Sequence, residues 1–189
     1  MLSGNKYNFL KWFKLNLDIR VDLITMIEGI RPGTNIELWK LKKKGTEHFY
    51  EQKACLIACI EKIGLLYRER NDDYYISKSA QRLQKLWNSD LTMGEFLGYP
   101  KCCSAAFYKG CLLFTQAGPK SKLGPALQFS QKIINAIEEH RDERLFYALH
   151  VPCKLTCQPT LQMAGQIKSA LDHWDFQAAQ WLKDFNLQR

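Results

Sequence analysis

The sequence lacks the marks of several common protein classes. It has no run of eighteen apolar residues, which excludes a conventional membrane-spanning helix. It carries no glycine-rich phosphate loop, no GxSxG and no HExxH, so the standard nucleotide, hydrolase and zinc-protease chemistries lose their sequence support. No CxxC occurs, and no repeat of solenoid period. In the opening stretch "MLSGNKYNFLKWFKLNL", Lys11, Lys14 and Asn16 interrupt the continuous apolar core that a secretory signal needs. A cytoplasmic, reducing compartment is therefore expected, where seven cysteines serve as thiols, metal ligands or core fillers rather than disulfides.

What is present suffices for a folded core, since 46% of the 189 residues are hydrophobic and 12% aromatic. The pattern predicts an α-rich α+β fold, with small antiparallel strands in the first half and a helical second half. Residues 1–90 form a mixed lobe and 91–189 a helical lobe that carries the main cysteine motifs, the two making one compact unit. Tyr7 to Leu17 reads as an amphipathic helix, and Glu47 to Leu66 as the first long one. "VDLITMIEGI" and "NIELWKL" read as two strands of a hairpin turned by Pro32 and Gly33. "GLLYRERNDDYYIS" reads as two short strands around Asn71 and Asp72. Short helical segments follow in "SAQRLQKLWNSD" and "LTMGEFLGYP", the latter closed by Gly98. Pro100 suits the first position of the next helix, because its missing N–H has no partner to lose there. "TQAGPKSKLGPA" is a loop, Pro125 to His150 one long helix or two abutting ones, and Thr156 to Phe185 a single final helix.

The formal net charge is +8, and Lys40, Lys42, Lys43 and Lys44 stand together in "KLKKKG". Such a cluster attracts nucleic acid by counterion release, while a solvated turn is the simpler reading. The aromatic helix near the start invites a membrane-surface reading in the same way, with docking on the protein's own core as the simpler one.

The cysteines separate by context. Cys55 and Cys59 lie four apart among alanine and aliphatic neighbours, and Cys111 sits in "GCLLF"; all three suit core packing. Cys102, Cys103, Cys153 and Cys157 each fall at or just before a helix start marked by proline, in "LGYPKCCSAAF" and "HVPCKLTC". Free N–H groups and the helix dipole favour thiolates there, and thiolates bind soft metals. Cys157 is expected in the first helical turn, capped by Thr156 and stiffened by Pro159.

Adjacent helical residues point about 100° apart, so Cys102 and Cys103 are expected to share one tetrahedral ion only with difficulty. An iron–sulfur cluster offers separate iron corners to all four cysteines. Alternatively, zinc takes one of the first pair together with His150, Cys153 and Cys157. A thiol enzyme with His150 as base is a third reading, and plain packing of reduced cysteines a fourth. His48, His140 and His173 read as solvent-facing. Asp172 and Asp175 around His173 suggest a small acid–base cluster, or more simply a solvated face.

The residues "LGYPKCCSAAF" and "HVPCKLTCQPTL" resemble the signature of the family catalogued as domain of unknown function 483, over roughly Leu97 to Leu171. The resemblance implies that Gly98, Tyr99, Pro100, Cys102, Cys103 and Phe107 belong to one site with His150, Pro152, Cys153 and Cys157. That family has no assigned reaction, so the resemblance implies a shared site and leaves its chemistry open.

Overall fold

The computed structural model describes residues 14–117, 142–150 and 152–187, with the side chains of 44, 110–117 and 187 left aside. Among these residues the fold is α+β and α-rich: three short antiparallel strands lie in the first half and helices fill the second. No helix among them is long and apolar enough to cross a membrane. The expected helix at Tyr7 to Leu17 lies outside the described residues up to position 13. So do positions 125–141 of the expected long helix.

The first element corrects the sequence reading. "VDLITMIEGI" belongs to helix α1, Leu17–Ile27, rather than to a strand. Its β-branched residues suggest extended chain, but Ile19, Val21, Leu23, Ile24, Met26 and Ile27 are all buried, around most of the helix, with only the edge at Asp18 and Asp22 open. A helix enclosed around most of its circumference shows little amphipathic period, so short apolar runs of this kind are ambiguous from sequence. The partner of β1, Gly33–Glu37, is consequently not the segment before it but a later strand.

A 3₁₀ turn, Leu38–Lys44, leads from β1 into α2, Thr46–Ile63, which ends on left-handed Gly64. Strands β2, Leu66–Arg70, and β3, Asp73–Ser77, form the hairpin expected around Asn71 and Asp72. Both turn residues have positive φ, the conformation that matches the twist of a two-residue hairpin. Strand β3 is central, in the order β1-β3-β2.

The two faces of the sheet have different companions. Ile36, Tyr74 and Ile76 join α1, α2 and the last helices in the main core, one apolar cluster that draws on residues from Leu15 to Leu182. On the opposite face, Leu83 of α3, Ala80–Trp87, meets Phe96 and Leu97 of α4, Met93–Leu97, with Tyr75 and Tyr99 packed beside them. Thr92 and Glu95 form a reciprocal capping box at the start of α4, and left-handed Gly98 ends it. A Cβ on Gly98 would stand 2.3 Å from Pro32 Cδ, so glycine is required there by both backbone and contact.

Helix α5, Lys101–Ala117, begins directly after Pro100, as expected. Beyond the undescribed stretch, Glu143–Tyr147 is a 3₁₀ turn, not the end of a long α-helix. The expected final helix is also divided, into α6, Gln158–Trp174, and α7, Phe176–Leu187. The break has a clear cause. Asp175 is buried, ion-paired to buried Arg20 of α1, and its Oδ1 accepts from the Ala178 N–H as the cap of α7. It thus belongs to the scaffold rather than to an acid–base cluster or a solvated face, while Asp172 pairs with Lys168 at 2.5 Å.

Asp175→Ala leaves the Arg20 guanidinium buried without its counter-charge and is expected to cost about 3–5 kcal/mol in chemical denaturation. The paired replacement Arg20→Met with Asp175→Leu is expected to recover a large part of that loss. Gly98→Ala is expected to destabilise by at least ~2 kcal/mol. Gly29→Ala, with the same φ but open space around its Cβ, should cost clearly less. Equal losses at the two glycines would refute the steric account of Gly98.

Candidate metal centre

The starts of α5 and α6 meet. Pro100 accepts N–H bonds from Cys103 and Ser104, which sets Cys102 and Cys103 in the first turn of α5. Cys157 is itself the residue that caps α6, with Pro159 just inside, so Thr156 lies outside the helix and is not the cap. Cys153 lies in the loop between Pro152 and α6.

The four sulfurs gather to within 4.8 Å of one another. Cys102 and Cys103 Sγ are 3.9 Å apart, and each lies 3.6 Å from Cys157 Sγ. The adjacent pair therefore converges, against the expectation that it would splay. The 100° between neighbouring residues applies to their Cα–Cβ directions, and rotation about χ1 can swing both sulfurs toward one point. Cys103 and Cys157 are buried, Cys153 is half-buried and Cys102 is exposed.

The polar surroundings suit sulfur that carries negative charge. The Cys153 N–H donates to Cys103 Sγ at 3.4 Å, and Thr160 Oγ1 stands 3.2 Å from the same sulfur. Burial alone would raise the Cys157 thiol. The Thr160 hydroxyl and N–H at the head of α6, with the thiols of Cys103 and Cys102, instead draw it down to about 7. Burial raises Cys103, and burial together with the neighbouring thiols pushes Cys153 up to about 12. Without an ion, the Cys157 thiolate is thus favoured while Cys103 and Cys153 hold their protons. A cation among them reverses that order by supplying the charge that the sulfurs lack.

His150 stands outside the four-sulfur group, one hydrogen bond away. Its Nε2 is paired at 3.0 Å with Thr160 Oγ1, which also contacts Cys103. The ring stacks on Tyr99, centroids 4.8 Å apart, and the Tyr99 hydroxyl donates to the Leu149 carbonyl. Burial, helped by the Arg31 guanidinium, lowers His150 to about 4, which makes it a weak base at neutral pH. Thr160 was not legible as part of the site. Its only signal is its place three residues after Cys157, where the third position of a helix turns back toward the cap.

Other sequence candidates fall elsewhere. Cys59 is buried in the core and pushed up to about 12, chiefly by burial, in keeping with its reading as a packing residue. Half-buried Cys55 packs against the same core. Cys111 and His140 lie outside the described side chains. His173 is exposed and His48 half-buried. In the basic cluster, Lys40 is paired with Glu37, and Lys42 with Asp72 at 2.5 Å. Lys43 is exposed, and the side chain of Lys44 is outside the described set. Part of the cluster's charge is thereby neutralised within the molecule.

Comparison with protein families, curated proteins and solved structures finds no match to this chain. The site is therefore interpreted from its own chemistry.

Thr160→Val keeps the volume but removes the hydroxyl that joins His150 to Cys103. With the His150 nitrogen left unpaired, a loss of about 1–3 kcal/mol is expected in denaturation. Thr160→Ser should restore most of it, and a Val variant as stable as the original would show that the bridge contributes nothing.

Proposed function

We propose that the protein is a cytoplasmic zinc-binding protein, in which Cys102, Cys103, Cys153 and Cys157 hold one ion that staples the start of α5 to the start of α6. The observation that carries this reading is the sulfur spacing. With Zn–S bonds of about 2.3 Å, the edge of a regular tetrahedron is about 3.8 Å. The separations among Cys102, Cys103 and Cys157, 3.6, 3.6 and 3.9 Å, bracket that edge, and Cys153 Sγ completes the group within 4.8 Å of the other three.

An iron–sulfur cluster fits less well, because each thiolate of a four-iron cube occupies its own iron corner and the ligand sulfurs stand farther apart than around one ion. Four protein ligands close the coordination sphere, which is the pattern of a structural rather than a catalytic zinc. In small zinc domains such binding is worth about 10–16 kcal/mol at neutral pH, enough to decide whether the joined elements fold.

The thiol-enzyme reading loses His150 as its base, since that ring is committed to Thr160 and lowered to about 4. The nucleic-acid reading loses part of its charge to the pairs at Glu37 and Asp72.

Elemental analysis of anaerobically purified protein is expected to give one zinc per chain in a colourless sample. Cys103→Ser and Cys157→Ser should each lower the zinc content and the melting temperature together. Iron with acid-labile sulfide and a visible absorption band would overturn zinc in favour of a cluster. Metal-free protein whose stability is indifferent to both substitutions would overturn the metal site altogether.

A further inference from the structure

A cavity of about 590 Å³ opens beside the sulfur site, between β1, α4, the start of α5 and α7. Cys103 and His150 line one side, Asn35 and Ser104 another, and the exposed rings of Phe107 and Phe185 stand at its edge. Its size falls in the range of small-molecule sites.

The polar groups in its wall are unevenly satisfied. Among the described residues, six buried side-chain polar atoms have no hydrogen-bond partner, and three of them belong to this wall: Asn35 Oδ1, Ser104 Oγ and His150 Nδ1. Such atoms are rare in folded proteins because each costs about 1–3 kcal/mol. Their grouping on three separate elements around one cavity points to a ligand rather than to scattered packing defects. Each is shielded from water in this conformation, so a ligand reaches it after a turn of the Asn35 amide, the Ser104 hydroxyl or the His150 ring.

The charged groups of the wall, by contrast, are already paired. Asp22 holds Arg31 at 2.5 Å, and Glu37 holds Lys40. A ligand bearing a phosphate or carboxylate would find no unpaired cation among the described residues of this wall, whereas an uncharged one brings no new charge to compensate. Asn35 Oδ1 can only accept a hydrogen bond, so the ligand must donate. The stacked Tyr99 and His150 rings, with Phe107 and Phe185 nearby, favour a flat unsaturated body.

We propose that this cavity binds an uncharged planar nitrogen heterocycle with N–H donors, of free nucleobase or nucleoside size. None of the four sulfurs serves as a contact in this assignment, which stands whichever ion they hold. The chain from Cys103 through Thr160 to His150 places the ligand's neighbour one hydrogen bond from the metal centre.

The test is equilibrium dialysis of the purified, metal-loaded full-length protein against adenosine, guanosine, cytidine and uridine, with metal content measured on the same samples. Saturable binding of at least one nucleoside is expected, weakened about tenfold or more by Asn35→Leu or by Ser104→Ala, at unchanged metal content. Ser104→Ala removes only a hydroxyl and keeps the test open if Asn35→Leu fails to fold. No binding of any of the four at about 1 mM would overturn the proposal. So would binding that both variants leave intact, or a 5′-monophosphate that binds more than tenfold tighter than its nucleoside. Retained nucleoside binding in protein without zinc would count against the staple and leave the cavity assignment standing.

Discussion

Two helix starts face each other across a space the width of one metal–thiolate group, and the second half of the molecule is organised around that approach. Each start presents unpaired N–H groups and the positive end of a helix dipole, so two of them brought together repel unless negative charge lies between. The Cys157 thiolate supplies such charge, and the sulfurs of Cys102, Cys103 and Cys153 stand beside it, able to add more only as they lose their protons. Thiolates alone would then repel one another. A divalent ion would satisfy both demands at once, and the Thr160 hydroxyl and the Cys153 N–H already contact the Cys103 sulfur that would help to hold it.

A second constraint, far from the sulfurs, shapes the rest. Arg20 and Asp175 meet inside the core, 155 residues apart in sequence. The pair holds α7 against α1 and forces the chain to break and restart at Asp175. That break lets α7 fold back, which brings Leu182, Phe185 and Asn186 to the cavity whose other walls come from β1, α4 and α5. One buried carboxylate therefore connects the main core to the space beside the metal centre. Gly98 does comparable work at the other wall, because its left-handed turn lets Pro32 and the start of α5 approach closely.

Local chemistry made much of the fold legible. The Asn71–Asp72 hairpin, the helix over Thr46–Ile63, the capped turn ending at Gly98 and the proline-marked start of α5 all depend on residues within a few positions of one another. The grouping of four cysteines at helix starts was legible for the same reason, since a cysteine follows a proline within two residues in both motifs. The failures were equally physical. Helix α1 is enclosed around most of its circumference, so its sequence carries little period to distinguish it from a buried strand. The split between α6 and α7 follows from a partner on α1 that no local window contains.

By itself, the sequence determined where α2 to α5 begin, where the Asn71–Asp72 hairpin turns and which cysteines stand near helix starts, because these follow from backbone preferences over a few residues. Only the tertiary structure decided that the four sulfurs lie within 4.8 Å, that His150 is bound to Thr160 instead of joining them, and that an unevenly satisfied cavity opens alongside. Those relations join residues from ten to more than fifty positions apart through packing in three dimensions, and neither spacing nor composition encodes such distances.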